Sequence, residues 1–163
     1  MSIFRHLISI VLAMLVTASV PAAGQACVES TAGTLSMQRG WIHLANDVGE
    51  VMPLEVLIAD DAFERASGFQ HICPEVIGRT LILFLYSREV RASFHMQNVH
   101  APLDIAFFDS AGRVVGVRLM KTYTEDSRPL YGPGGPFRFA LEAPAGFFAE
   151  RGISTGGSRL ILQ

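Results

Sequence analysis

Residues Ser93 to Asp109 constrain the fold most, because a proline-stiffened junction there joins an alternating segment to a run that is nearly all apolar. Phe94 and Met96 alternate with His95 and Gln97, the period-two pattern of a half-buried strand, and Leu103 to Phe108 reads as a second, more apolar strand. Asn98 to Pro102 is the expected turn of this hairpin. Pro102 fixes its own φ and holds Ala101 extended, so Asp104 enters just inside the second strand. A carboxylate in that position requires a hydrogen-bond donor or a cation. Either Asp104 accepts from loop N–H groups or an arginine and merely locks the hairpin, or it belongs to a functional site. Thr80 to Tyr86 is another nearly all-apolar run of strand length, expected as the central strand with both faces covered.

The amino terminus points to a compartment. Arg5 and His6 precede the apolar run Leu7 to Val16, which gives way to Pro21 and small residues up to Ala26. A basic start, a short apolar stretch and a small-residue cleavage zone make residues 1–26 a secretory signal. Thr17, Ser19 and Pro21 break the run short of the ~20 apolar residues that a span requires, so no membrane attachment is expected after cleavage. The mature chain is then periplasmic or secreted, with 27–49 as a leader or short first strand and 50–163 as one domain.

Cys27 and Cys73 are the only cysteines. In an oxidising compartment they are expected to form one disulfide. It would close a loop of 47 residues (73 − 27 + 1), for which chain entropy gives ~4 kcal/mol. Loss of the first 26 residues removes Arg5, and the formal charge moves from −2 to −3. That balance excludes nucleic acid as a partner and offers no basic patch for a membrane surface. A monomer is expected.

Further along, Met52 to Ile58 alternates as a strand. Asp61 caps a short helix that Gly68 closes, with Glu64 reaching back as the far half of a capping box. Arg113 to Met120 returns on Leu103 to Phe108 through a turn at Asp109–Gly112. Tyr131 to Pro136 is too rich in glycine and proline for a regular element. Phe137 to Leu141 is a strand, Pro144 opens a helix through Phe147 to Arg151, and Ser158 to Leu162 is a final strand. The sum is an α+β fold, a mostly antiparallel twisted sheet or partly closed β-barrel with two short helices.

Several of these stretches together resemble the DUF192 family, also called UPF0127, of secreted or membrane-tethered domains without an established biochemical role. The resemblance rests on Glu64-Arg65-Ala-Ser-Gly68, on Leu81 to Phe84, on Met96-Gln-Asn98 with Pro102 to Asp109, on Gly112 to Val115, on Tyr131-Gly132 and on Pro144 to Phe148 before Gly152. Two departures stand out. Where the family pattern has Gly-Leu-Met and an arginine, this chain reads Gly68-Phe-Gln-His71. Where it has Met-Lys-Asn-Thr after an aromatic, this chain reads His95-Met-Gln-Asn-Val99. Each departure removes a cation, so an anion that such cations hold elsewhere would bind weakly here.

Three chemistries fit the polar residues. Arg65 crossing to Asp104, with Asn98 beside them and Glu64, His95, Met96 and Tyr131 around them, would bind a small polar ligand or a peptide segment between the Glu64–Arg65 helix and the Met96–Asp104 hairpin. Alternatively Arg65 and Asp104 form a purely structural ion pair. A hydrolase would use His95 or Asp104 as base, although no nucleophile motif accompanies them. His71, Cys73, His95, Met96 and His100 form a soft-ligand set that would favour Cu(I), without the close spacing of a zinc motif. No cofactor is indicated. The partner is either a small polar ligand or another protein of the envelope.

Overall fold

The computed structural model describes residues 26–123 and 127–162, so the expected signal segment lies outside the described residues except for Ala26. Four short helices and seven strands follow in the order α1 (Ala32–Ser36), β1 (Gln38–Ala45), β2 (Val51–Ala59), α2 (Ala62–Ser67), α3 (Pro74–Ile77), β3 (Ile82–Val90), β4 (Leu103–Phe108), β5 (Val114–Met120), β6 (Phe137–Pro144), α4 (Phe147–Glu150) and β7 (Arg159–Ile161). The strands form one mixed sheet in the order β5-β4-β6-β3-β2-β1-β7. Its neighbours are antiparallel except β2 and β3, which run parallel because α2 and α3 carry the chain back between them. The fold is α+β, as the patterning predicts. β3, drawn from the apolar run that begins at Thr80, holds the middle position.

Each face of this sheet has its own core. Leu103, Ile105 and Phe107 of β4 join Ile82, Phe84, Met96 and Phe137 on one side. That side is closed by α1, α2, α3 and the Ala92–Val99 loop, which contribute Met37, Phe69, Ile77 and Val99. Ala106 and Phe108 join Ile42, Leu44, Leu83 and Leu141 on the other, where Phe148 of α4 and Ile153 close the core. All six residues of β4 are buried, as a strand covered on both faces requires.

The sheet is not closed into a barrel. Its edge strands β5 and β7 meet only around one isolated bridge, Arg113 with Arg159, flanked by two backbone bonds, Leu160 N–H to the Gly112 carbonyl at 2.8 Å and Val114 N–H to the Ser158 carbonyl at 3.3 Å. Gly112 is at φ +77, and a Cβ there would stand 2.2 Å from the Leu160 oxygen, so the approach requires glycine.

Four expectations are corrected. Of the two readings of segment 27–49, the first strand holds and the leader does not: it supplies the eight-residue β1, seated inside the sheet between β2 and β7. The helices number four, since α1 and α3 are single turns that carry no periodic signal. β6 runs through Pro144, and the helix behind it starts after Gly146, which sits at φ +89. Most consequentially, Ser93 to Gln97 is not a strand of a hairpin with β4. Phe94 makes one isolated bridge with Tyr131, and the rest of the segment is a loop pinned by its aromatic and aliphatic side chains. Tertiary packing, rather than a ladder, produces the alternation of Phe94 and Met96 with His95 and Gln97.

The disulfide Cys27–Cys73 is present, with the Cα atoms 4.8 Å apart. Backbone bonds reinforce it from both sides, Val28 N–H to the His71 oxygen at 2.8 Å and Cys73 N–H to the Val28 oxygen at 2.9 Å.

Candidate functional site

The polar residues expected to converge divide between the two faces of the sheet. Asp104 shares its face with Ala106 and Phe108, and its Oδ2 accepts from Gly146 N–H at 2.9 Å. It therefore fixes the corner between β6 and α4. Burial raises its carboxyl above the usual range, and the N–H groups of Phe148 and Gly146 oppose that rise. Arg65 lies on the other face. Its Nη1 donates to the backbone oxygens of Asp60 and Leu85, and its guanidinium carbon stands 5.0 Å from the Tyr86 ring centre. The expected Arg65–Asp104 pair does not form, and neither does a joint His95–Asp104 base, because the sheet separates them.

Glu64 is buried, and its Oε2 accepts from Asp60 N–H at 3.0 Å while Asp61 Oδ1 accepts from Glu64 N–H at 2.8 Å. The capping reading is right in kind, with the return bond falling one residue earlier than the helix cap. Met96 is 1% exposed and belongs to the core. Cys73 is consumed by the disulfide. Among the described residues no group of three or more His, Cys, Asp and Glu side chains could hold a metal ion. His100 keeps Nε2 buried without a hydrogen-bond partner among the described residues.

What does converge is a pocket of about 240 Å³ between the end of α2, β3 and the Ser93–Val99 loop. Its polar lining is Arg65, Gln70, Tyr86, Ser93, His95 and Glu142, and its apolar walls include Phe69, Phe84 and Phe94. The helix ends at Gly68 (φ +45), where a Cβ would stand 3.6 Å from Phe84 Cζ and 3.9 Å from Glu142 Oε2. The missing side chain leaves that corner open. Asn98 and Tyr131 brace the wall: Asn98 Nδ2 donates to Gln70 Oε1 at 3.2 Å, the Asn98 carbonyl accepts from His71 N–H at 2.7 Å, and Tyr131 pairs its backbone with Phe94. A larger depression of about 300 Å³ lies between α1, α3 and β2. There Arg39 and Glu55 neutralise each other at the surface.

Glu142 is the residue that sequence reading missed. It sits on β6 opposite Ile82 and Ile105, is 5% exposed, and makes no hydrogen bond or ion pair with any described residue. Burial alone pushes its carboxyl up to about 8. Such an acid is neutral at pH 7 and presents one O–H donor to the pocket. Burial also raises the Tyr86 hydroxyl, opposed by Arg65 and assisted by Glu142. His95 is lowered by burial and then by Arg128. Its Nδ1 accepts from Gln97 N–H at 3.3 Å, which leaves Nε2–H as the donor of the neutral ring. The signal for Glu142 lies in its setting, a single carboxylate inside the apolar run Phe139 to Ala143.

A mixed sheet with covered faces and a small, partly enclosed pocket against its central strand defines an α+β domain. The chain belongs to the DUF192 family, described as "Uncharacterized ACR", which it matches over residues 42–160. No curated protein matches it by sequence. Two crystal structures share its fold, each at 23% identity and a TM-score of 0.67. One is from Sinorhizobium meliloti 1021, described with a proposed transcription-regulator role, and the match covers 77% of this chain and 94% of that one. The other, of unknown function, is from Novosphingobium aromaticivorans DSM 12444, with 89% and 100% covered. At that identity the likeness shows the fold alone.

Proposed function

We propose that this chain is an exported domain that binds a small polar ligand in the pocket formed by α2, β3, Glu142 and the Ser93–Val99 loop. One observation carries the reading: a carboxyl is held in the core, without a partner, at the wall of a cavity. Burial of an unpaired polar group is costly, and such groups cluster where a ligand completes them. The volume favours a small molecule over a peptide segment. Export is supported by the amino-terminal pattern and by the Cys27–Cys73 disulfide, which suits an oxidising compartment. Nothing in the reading calls for turnover.

The test is an ¹⁵N-labelled chain titrated with acetate, glycine, ethanolamine and glucose. Saturable shifts are expected at the amides of Gly68, Gln70, Phe84 and His95 with at least one probe, and their loss in Glu142→Leu. Shifts confined to the Arg39–Glu55 depression, or none at all, overturn the reading. For export, the protein from the periplasmic fraction should have a mass beginning near Cys27 and two hydrogens below the reduced value.

A further inference from the structure

We infer that the ligand is a small zwitterion, with its ammonium group seated against Glu142 and its carboxylate meeting Arg65 at the mouth; this rests on the binding reading above and names the ligand class. An acid and a guanidinium, Glu142 and Arg65, line the one pocket, and neither is paired with the other or with a counter-ion among the described residues. At the inner end, Glu142 shares the pocket wall with the Phe84 and Phe94 rings, which stand edge to face at 5.0 Å. Aromatic walls around a carboxylate suit an organic cation, since the ring quadrupoles and the acid attract it together. A buried acid without a partner is the arrangement that such a cation completes.

At the outer end, Arg65 holds its place through Nη1, which is spent on the Asp60 and Leu85 oxygens, and through the Tyr86 ring. Nε and Nη2 remain for a carboxylate. Arg65 from α2, Tyr86 from β3 and His95 from the loop are the titratable or charged groups that share the pocket with Glu142. Arg65 and Glu142 act on Tyr86 with opposite signs, yet burial is the sole influence resolved at Glu142 itself. No described side chain is bonded to Glu142, so the cation that would draw off its proton is one that a ligand brings. The volume of about 240 Å³ limits that ligand to a small molecule, and the open corner at Gly68 leaves room beside Glu142 for one end of it.

Zwitterion binding has a proton signature that a hydroxyl or amide ligand lacks. Glu142 releases its proton to solvent as it pairs with the ammonium group, which keeps its own. A neutral ligand that accepts from the carboxyl leaves the proton in place.

The experiment uses the full chain with its disulfide intact and ¹³C at the glutamate carboxyl. Glycine, β-alanine and 4-aminobutyrate probe increasing charge separation, with methylammonium, acetate and glycerol as single-ended and neutral probes. At least one zwitterion is expected to pull the Glu142 titration down by a unit or more. Its affinity should rise by up to about tenfold per pH unit between roughly pH 6 and 8. Glu142→Gln should weaken it at least about tenfold and flatten that dependence, and Arg65→Ala should weaken the zwitterion but not methylammonium. If acetate or glycerol saturates the pocket amides while every zwitterion leaves Glu142 unmoved, the zwitterion is overturned and the pocket stands. If no probe moves a pocket amide, both fail.

Discussion

Replacing Glu142 with glutamine should make the protein more stable, and the gain should grow with pH. The unfolded carboxyl titrates near 4.5 and the folded one near about 8. Between those values the native state holds one more proton than the unfolded state, so stability falls as pH rises through that window. The slope is ~1.4 kcal/mol per pH unit, and over a span of about 3.5 the penalty reaches ~5 kcal/mol, an upper limit because pocket water relaxes around the ion. Glutamine has the same shape and stays neutral. Urea unfolding at intervals from pH 4.5 to 8.5 would measure the difference. Near pH 4.5 the two proteins should agree within ~1 kcal/mol, and by pH 8.5 the variant should lead by ~3–5 kcal/mol, a midpoint shift of ~2 M urea for a chain of this size. Contributions from Asp104 and His95 are common to both proteins and cancel. Parallel curves would refute the reasoning, since they mean that folding leaves the Glu142 carboxyl unshifted, and so would a gap that widens towards low pH, which means that its ionised form is stabilised in the folded state.

Asp104→Ala should lower stability by ~1–3 kcal/mol, by orphaning the Gly146 N–H at the β6–α4 corner, while pocket binding persists because the sheet lies between. Thermal unfolding combined with the amide titration distinguishes the two effects. Cys73→Ser should cost ~4 kcal/mol at equilibrium in urea, and reduction of the wild type should match it. Gly112→Ala should destabilise by ~2 kcal/mol or more, since its Cβ would strike the Leu160 oxygen at a φ that alanine resists; a neutral result in chemical denaturation would mean that the edges separate freely.

The strands that could be read from sequence are those whose burial follows their pattern. β4 is a nearly continuous apolar run and β5 alternates against a glycine turn, so both lie close to their expected places, while β3 starts inside its apolar run but continues through Ser87, Arg88 and Glu89 to Val90, four residues beyond the expected end. β1 was obscured because Gln38, Arg39 and Trp41 are exposed and only Ile42 and Leu44 are buried within it. The loop from Ser93 failed for the opposite reason: Phe94 and Met96 point into the core at strand spacing without any strand beside them. Arg65 and His95 line one pocket, while Asp104 was grouped with them through adjacency in sequence and lies on the other face. One step along a strand reverses the face, and that parity was decided by the pairing of β4 with β6, which no local pattern reveals. Glu142 went unnoticed because its strand was taken to end one residue before it.

The near-meeting of β5 and β7 has a consequence for how the folded chain meets copies of itself. An open sheet offers its outermost N–H and C=O groups as a template on which other chains can polymerise. Here one border is a strand of only three residues, and Arg113 and Arg159 stand where the two borders touch. At that border an incoming strand would find little length to copy and part of its backbone already bonded across to Gly112 and Val114, so the curl of the sheet itself guards the β7 edge.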